Sequence, residues 1–430
     1  DRGVYEEENV LLGHRRLSII DLSAAGHQPM VDRESGSVIV YNGELFNYIE
    51  LRQELQGRGG IFRTESDTEV LQKAFLEWGS SCLSKFNGMW AFALWHPAAG
   101  KLFFARDRFG EKPFYYVHED AFAFASEPKS LLSLFPRCRA VDRKTLYEFL
   151  ALGRLHASES SFYRGIHILP PAHCGEYDFH RRSLRIWRYW DYPAQPAQAS
   201  DAQRQREEFE ALFNDAVRLR LRSDVPVGVS LSGGLDSTAV LAASLRGTPS
   251  RRVCFTSVYS RTERGEAGWA SKAAKPYGIQ PIEVTAPKAQ WLETLRKISW
   301  HMDGPGYSPA VYPLWFLMKE ARSQRIPVLL EGQGADEALG GYPQYGIIAI
   351  RDQFKKALFP LQGAELRSAV QAWQRLTATF TRRWSWLWML RESFPWLIEL
   401  NRRRSGAASV LRPEFRSEAC KEGAEAASLS

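Results

Sequence analysis

The sequence predicts two domains of different fold class. Residues 1–190 indicate an α+β domain with largely antiparallel sheets, and residues 205–430 an α/β domain with a doubly wound parallel sheet. Short apolar runs separated by turn residues fill the first region, whereas strands and helices alternate in the second. Residues 191–204 read as a linker, because the stretch is rich in Pro, Ala, Gln and Ser and poor in apolar residues.

Local patterns give the elements of the first domain. Val38–Tyr41 is a strand pattern that we expect to end at Asn42-Gly43, a common turn signal. Apolar runs at Met89–Trp95 and Leu102–Ala105, split by Pro and Gly, predict a hairpin. The remaining predicted elements are a strand over 121–125 and helices over 48–56, 67–78 and 143–151.

The second domain alternates regularly. The predicted strands cover 225–231, 253–258, 281–285 and 328–330, and the predicted helices cover 206–222, 238–245, 267–277, 287–301 and 312–324. Such alternation is typical of a parallel sheet with helical crossovers. Ligands of open parallel sheets bind at the carboxyl ends of the strands, so the loops after the strands are the candidate site.

Composition limits the classes of protein. The chain has 430 residues, 44% hydrophobic and 24% charged, which is globular rather than disordered. The net charge of +7 favours anionic partners such as nucleotides. Its five cysteines are odd in number and form no CxxC pair, which predicts a reducing cytoplasm rather than a disulfide framework. Neither a signal peptide nor an apolar run of about 20 residues is present.

The loop after the predicted strand 225–231 has the chemistry of a phosphate site. It reads Leu231-Ser-Gly-Gly-Leu-Asp-Ser237 and leads into a helix. Gly233 and Gly234 permit a tight turn and close ligand approach, while Ser232 and Ser237 add hydroxyl donors. Asp236 would repel bare phosphate, which predicts Mg²⁺ as its partner. The alternative is a glycine-rich turn with no ligand.

A second glycine-rich loop follows the predicted strand 328–330. It reads Leu330-Glu-Gly-Gln-Gly-Ala-Asp-Glu337, with Gly332 and Gly334 on either side of Gln333. Its Asp336 and the Asp236 of the first loop could share Mg²⁺ against one triphosphate. The alternative is an acidic helix N-cap after a tight turn. Asp303, in the loop between the motifs, is either another site residue or a cap.

The two loops together resemble the ATP-pyrophosphatase (PP-loop) domain of asparagine synthetases. The resemblance covers about 205–345 and implies ATP and Mg²⁺, with Leu231, Ser232, Gly233, Gly234, Ser237, Gly332 and Gly334 binding ATP. It also implies catalytic roles for Asp236, Asp336 and the residue at position 333. Family members that form asparagine usually have Glu where this chain has Gln333, and an amide cannot take up a proton at neutral pH. The departure bears on the acceptor substrate more than on ATP.

Seven strings in the first domain resemble the class II glutamine amidotransferase domain of the same family. They are His14–Asp21, Gly26–Pro29, Tyr41–Glu44, Ser66–Glu69, Arg106–Gly110, Lys112-Pro113 and Ser126-Glu127. The resemblance covers about 1–175 and implies the layered antiparallel sheets of the N-terminal-nucleophile (Ntn) fold.

The residue types in those strings suit a free amino acid. The Arg16 fork can bind a carboxylate, and Asp67, with the backbone of Glu44, can meet an ammonium group. Asn42 and the Gly43 amide can serve as an oxyanion hole. Taken singly, these residues could be a surface ion pair, a helix cap and a turn; only their joint order favours a glutamine site.

The nucleophile of that family is an N-terminal Cys, which this chain does not show near Asp1. We therefore expect a fragment that lacks the start of the glutaminase domain and, because a family segment near the C-terminus is also missing, the end of the synthetase domain. Residues 366–400 are predicted to be Trp-rich helices, used for packing or at a membrane surface.

The resemblance implies a glutamine-dependent asparagine synthetase that adenylates the side chain of aspartate. The alternatives are an amide-forming ligase for another carboxylate, such as a sugar acid, and a non-catalytic nucleotide-binding protein. We expect glutamine, aspartate and ATP as partners, no nucleic acid, a possible homodimer, and a cytoplasmic location.

Overall fold

The computed structural model describes residues 1–155, 159–194, 201–246, 252–258, 265–306, 308–342, 345–346 and 348–352. The chain divides into one unit of Asp1–Asp142 with Ser158–Glu331 and a second of Arg143–Ala157 with Gly332–Ser430. The Trp-rich stretch predicted at 366–400, and the C-terminal end of the chain, lie outside the described residues.

The amino-terminal part of the first unit is built from antiparallel sheets. Its strands are β1 (Arg2–Glu7), β2 (Val10–Arg15), β3 (Met30–Val31), β4 (Val38–Leu45), β5 (Gly88–His96), β6 (Lys101–Arg106), β7 (Tyr115–His118), β8 (Phe122–Ala125), β9 (His167–Ile168), β10 (His173–Asp178) and β11 (Ser183–Arg188). Its helices are α1 (Tyr48–Gly57), α2 (Asp67–Trp78) and α3 (Pro128–Leu134). The strands pair in the orders β1-β2, β8-β7-β9 and β11-β10-β6-β5-β4-β3.

Alternation along β4 explains the layering. Ile39 and Tyr41 pack on one face with residues of α1 and α2, while Val38 and Val40 pack on the other with residues of β2 and β7. Both faces of its first half, Val38–Tyr41, are buried, and this half is apolar throughout. The predicted layered antiparallel fold is confirmed, as is the hairpin of β5 and β6.

The strand β4 does not end where the sequence indicated. It continues through Asn42 and Gly43, and its pairing with β5 runs from Val38 opposite Trp95 to Leu45 opposite Gly88. The prediction of a turn at Asn42-Gly43 was wrong because cross-strand packing overrides the local signal. Gly43 lies opposite Trp90, where a side chain would run into the backbone of Met89 and Trp90.

The rest of the first unit is the predicted parallel sheet. Its elements are α5 (Ala202–Arg220), β12 (Val227–Ser230), α6 (Leu235–Ser244), β13 (Cys254–Val258), α7 (Glu266–Ala274), β14 (Ile282–Thr285), α8 (Trp291–Met302), α9 (Val311–Ser323) and β15 (Val328–Leu330). The strands lie in the order β14-β13-β12-β15, all parallel.

Helices cover both faces of this sheet. Cys254 of β13 packs in one cluster with residues of α5, α6 and α7. The next residue, Phe255, packs in another cluster with Leu317 and Ala321 of α9. Successive side chains of a strand point to opposite faces, so the doubly wound prediction is confirmed.

The described part of the second unit contains two labelled helices. They are α4 (Arg143–Leu152) and α10 (Ala335–Leu339). The second glycine-rich loop lies at the start of α10, where Gly334 is the N-cap residue and adopts the left-handed conformation at φ 96°.

No helix in the described ranges is long and apolar enough to cross a membrane. Four cysteines are buried free thiols: Cys82, Cys138, Cys174 and Cys254. The fifth, Cys420, lies outside the described residues.

Truncating Leu94 tests the two-layer core. Leu94 of β5 is fully buried beside α1 and α2 residues. Leu94→Ala should lower the free energy of unfolding by about 2–5 kcal/mol in urea titrations, because a cavity is left in a close-packed core. The control Leu212→Ala, on an exposed face of α5, should stay within about 0.5 kcal/mol of the parent. Equal losses in the two variants would contradict the assigned layering.

Candidate functional sites

The five residues predicted to bind an amino acid line one cavity. Arg16 follows β2, Asn42, Gly43 and Glu44 lie on β4, and Asp67 opens α2. The cavity has a volume of 860 Å³. The antiparallel sheet therefore brings together groups that are up to 51 positions apart in the chain.

The Arg16 guanidinium is held by a turn of backbone. Its Nη2 donates to the carbonyls of Ile20 at 2.8 Å and Asp21 at 2.7 Å, and its Nη1 reaches the carbonyl of Ser23 at 3.4 Å. Neutral carbonyl partners orient the fork, and the Asp21 carboxylate of the same turn offsets only part of its positive charge. The side chain can therefore still attract a carboxylate in the cavity.

Asp67 is buried in the lining of the same cavity. Its Oδ2 accepts hydrogen bonds from the Tyr41 hydroxyl at 3.0 Å and the Leu45 amide at 2.9 Å. The N-cap of α2 is Ser66, whose hydroxyl accepts from the Thr68 amide. The alternative reading of Asp67 as the cap of this helix is therefore unnecessary. Burial raises the pKa of the Asp67 carboxyl.

Glu44 lies beside Asp67 and is also almost fully buried. Burial, together with the neighbouring charge of Asp67, raises the pKa of Glu44 to about 7 against the opposing influence of Lys112 and Arg220. Two adjacent buried carboxylates disfavour each other's charge. An incoming ammonium group would relieve that repulsion, which makes the Glu44 side chain, and not only its backbone, a candidate ligand.

Asn42 presents its amide at the mouth of the same cavity. Its Nδ2 donates to the Ser126 hydroxyl at 3.3 Å, a long bond that leaves the amide free to turn to a ligand. Ser126 and Glu127 follow β8 and also line the cavity. Ser126 and Glu127 are among the residues that carry the family resemblance, but the sequence alone indicates no role for them.

The cavity also reaches the parallel-sheet part of the unit. Pro327, Val328 and Leu329, at and just before β15, form part of its lining. Apolar side chains of the central sheet, among them Met89, Ala91 and Phe92, line it as well. One continuous space thus touches the six-stranded antiparallel sheet and the parallel sheet of the first unit.

The phosphate-loop candidate lies between β12 and α6, at the carboxyl end of a parallel strand. The hydroxyls of Ser232 and Ser237 are 3.0 Å apart, and the Gly234 amide donates to the Ser232 hydroxyl at 3.3 Å. Helix α6 begins at Leu235, three residues earlier than predicted, so Asp236 and Ser237 lie in its first turn. Gly234, its N-cap, has no side chain to satisfy the first amides, which suits an anion.

Gly233 shows that the loop conformation is specified. Its φ is 78°, a left-handed value, and a Cβ there would meet the backbone of Trp269 and Ala270 in α7. A Cβ at Gly234 would meet only the Ser232 hydroxyl. The loop therefore presses its backbone against α7 on one side and stays open on the other, and this fits a phosphate group.

Asp236 is half-buried, and no ion pair within the described ranges involves it. Its carboxylate is therefore available to a cation such as Mg²⁺. Asp336 lies in the second unit on α10, where the Asp336 carbonyl accepts from the Gly341 amide at 2.9 Å. Gln333 is exposed in the turn before it. A shared metal between the two aspartates stays a prediction.

Asp303 has a structural role in this fold. It ends α8 with φ 54°, and its buried carboxylate pairs with Lys129 of α3 at 3.0 Å. The Lys129 ammonium also lies 4.9 Å from the ring centroid of Trp300. The ion pair joins the antiparallel and parallel parts of the unit.

Two buried aspartates were missed by the sequence reasoning. Asp107 accepts the amides of Phe109, Glu111 and Lys112 and so shapes the loop after β6. Asp21 accepts amides from two separate loops. Both lie in sequence motifs that carry the family resemblance, but the sequence alone does not indicate which backbone amides they bind.

Comparison with known proteins gives matches over most of the chain. The family profile "Glutamine amidotransferase domain" matches residues 1–190, and the profile "Asparagine synthase" matches residues 208–425. Asparagine synthetase [glutamine-hydrolyzing] 3 of Bacillus subtilis (strain 168) is 33% identical over 82% of this chain and 60% of its own length. Putative asparagine synthetase [glutamine-hydrolyzing] 2 of Methanocaldococcus jannaschii is 32% identical over 80% of this chain and 69% of its own length.

The chain spans 60% and 53% of the lengths of the two B. subtilis relatives numbered 3 and 1. Among solved structures, a glutamine phosphoribosylpyrophosphate amidotransferase from B. subtilis is similar at 17% identity, with a TM-score of 0.31 over 54% of this chain and 48% of that one.

The pKa of Glu44 predicts how binding of a free amino acid to this cavity, tested with L-glutamine, should vary with pH. The raised pKa means that the Glu44 carboxyl is neutral below about pH 7, so its attraction for an ammonium group is lost as pH falls. Affinity measured by titration calorimetry should drop about tenfold between pH 8 and pH 6. In Glu44→Gln, binding should be weaker and nearly constant over this range.

The matched control is Glu54→Gln, which removes a partly exposed carboxylate of α1 that pairs with Lys85. Its pH profile should follow the parent. A Glu44→Gln profile that also follows the parent would exclude Glu44 as the titrating ligand.

Proposed function

This chain belongs to the asparagine synthetase family, and from that membership and its two sites we propose that it acts in glutamine-dependent asparagine synthesis. Ammonia released from glutamine would be joined to the side-chain carboxylate of aspartate at the expense of ATP. A cytoplasmic location and a homodimer also stay predictions.

The main support for the proposal is the cavity lined by both the six-stranded antiparallel sheet and the parallel sheet. It is lined by the groups that suit a free amino acid, Arg16 and Glu44 among them, and also by Val328 and Leu329 of the parallel sheet. Ammonia is small and uncharged when released, and it would be protonated in bulk water at neutral pH. An enclosed route between the domains would keep it nucleophilic.

In the amidotransferase half, the residues divide by charge. Arg16 would attract the glutamine carboxylate, while Asp67 and Glu44 would receive its ammonium group. The Asn42 side chain and the Gly43 amide would stabilise the oxyanion of a tetrahedral intermediate. These assignments rest on the cavity that all five residues line and on the charges of their side chains.

In the synthetase half, the loop backbone would bind ATP phosphates. Ser232, Gly233, Gly234 and Ser237 would donate hydrogen bonds to them, with Leu231 and the second loop's Gly332 and Gly334 completing the nucleotide site. Mg²⁺ held by Asp236 and Asp336 would neutralise phosphate charge.

The proposed reaction has two steps. The acceptor carboxylate attacks the α-phosphorus, releasing pyrophosphate and forming an acyl adenylate. Ammonia then displaces AMP, because AMP is a far better leaving group than oxide. The loop residues orient the nucleotide for the first step.

Gln333 supports a second candidate, an amide-forming ligase for another carboxylate. The neutral side chain is exposed at the turn before α10 and cannot act as a base. An acceptor such as a sugar acid would need different contacts at this position, whereas the ATP chemistry would be unchanged.

Asp236→Ala tests whether the phosphate loop is catalytic. Pyrophosphate release with ATP, ammonia and acceptor should fall about 100-fold or more, because the bound metal loses a ligand at the developing charge. The control is Asp201→Ala, an exposed carboxylate at the N-cap of α5 that caps no amide. Turnover of Asp236→Ala equal to that of this control would remove Asp236 from the mechanism.

Product analysis identifies the acceptor. With aspartate, ammonia and ATP, we expect asparagine, AMP and pyrophosphate in equal amounts, measured by chromatography. Pyrophosphate that appears only with a different carboxylate would reject aspartate and favour the second candidate. ATP binding without pyrophosphate release for any acceptor would indicate a non-catalytic nucleotide-binding protein.

A further inference from the structure

We propose that Asp224 is a positioning residue for the glutamine pocket, although it lies in the synthetase part of the chain. The inference rests on the proposed function, because it assumes that the cavity around Arg16 takes glutamine. Asp224 lies in the connection between α5 and β12, three residues before the strand that leads to the phosphate loop.

Asp224 is bonded in both directions to one turn of the amidotransferase part. Its Oδ2 accepts the Asp21 amide at 2.7 Å, and its own amide donates to the Ile19 carbonyl at 2.9 Å. These bonds close a two-point clamp on residues 19–21. Such a clamp fixes both the position and the orientation of the turn.

The clamped turn is the one that holds Arg16. The carbonyls of Ile20 and Asp21 are the two short acceptors of the Arg16 guanidinium. Asp21 adopts φ 57°, a left-handed value that is costly for a residue with a side chain. Bonds from outside the turn help to hold this conformation, and Asp224 supplies one to the Asp21 amide itself.

The same turn is tied to the ammonium end of the pocket. The Asp21 carboxylate accepts the Glu65 amide at 3.1 Å through Oδ2 and the Ser23 amide at 3.0 Å through Oδ1. Glu65 lies two residues before Asp67. A shift of the turn would thus disturb the groups expected at both ends of a bound amino acid.

A second anchor keeps the connecting segment in place. The Arg222 guanidinium, largely buried, pairs with the Glu50 carboxylate and donates to the Phe46 carbonyl at 2.7 Å. Loss of the Asp224 side chain should therefore leave the segment docked and release only the turn. This separation makes the role of Asp224 testable.

Asp224→Ala should weaken L-glutamine binding about fivefold to tenfold in titration calorimetry, a change in the range of one ordinary intramolecular hydrogen bond. Asp224→Asn should stay within about twofold of the parent, because its side-chain oxygen can accept the same amide. Hydrogen exchange of the peptide spanning 17–23 should quicken in Asp224→Ala and not in Asp224→Asn. Asp224→Ser, whose hydroxyl is too short to reach the Asp21 amide, carries the same expectation should the Ala variant fail to fold.

The matched control is Asp215→Ala, which removes an exposed carboxylate of α5 paired with Arg218. It should bind glutamine like the parent. Parent-like affinity in the Ala and Ser variants of Asp224 would overturn the inference. Equal weakening in Asp224→Ala, Asp224→Asn and Asp215→Ala would also overturn it, because the loss would then follow from the change in net charge. A parent protein that binds no glutamine would instead reject the proposed pocket, and the two failures are therefore distinguishable.

Discussion

Burial of β4 on both faces is the constraint on which the amidotransferase site depends. Its side chains are committed alternately to the α1–α2 layer and to the opposite layer, so a slip of one residue would place each of them in the wrong layer. The fixed register places Asn42, Gly43 and Glu44 at one end of the strand and the Leu45 amide where it donates to Asp67. The packing of apolar side chains thus fixes the positions of the polar residues in the site.

This arrangement buries two neighbouring carboxyl groups, Asp67 and Glu44, whose negative charges are unfavourable out of water. Asp67 is partly compensated by the Tyr41 hydroxyl and a backbone amide, whereas Glu44 relies on more distant cations, Lys112 and Arg220. Desolvated charge without a close cation is unfavourable unless a partner arrives. A ligand ammonium would be that partner, and selectivity for an amino acid would then follow from the same repulsion that raises the pKa of Glu44.

Sequence periodicity was sufficient for the fold class and for most elements. Helix α2 and strand β15 have the predicted bounds, because Ser66 and the breaks around Val328–Leu330 are unambiguous local signals. The turn predicted at Asn42-Gly43 was wrong, because pairing of Gly43 with Trp90 on the neighbouring strand decides its conformation. The pocket residues could be proposed from their order, but the Asp21 and Asp224 bonds join residues 203 positions apart and leave no local trace.

The Asp21–Asp224 bond bears on how the two candidate sites are related in space. Strand β12 carries the phosphate loop at its end and Asp224 just before its start, so one short segment connects the nucleotide site with the turn that holds Arg16. A flexible tether between domains could not keep such a relation, because side-chain bonds of 2.7 Å demand fixed geometry. With Arg222 anchored on α1 and Lys129 paired to Asp303, the antiparallel and parallel sheets are locked at three separate points. These three contacts hold the turn at Arg16 and the strand before the phosphate loop within one compact unit.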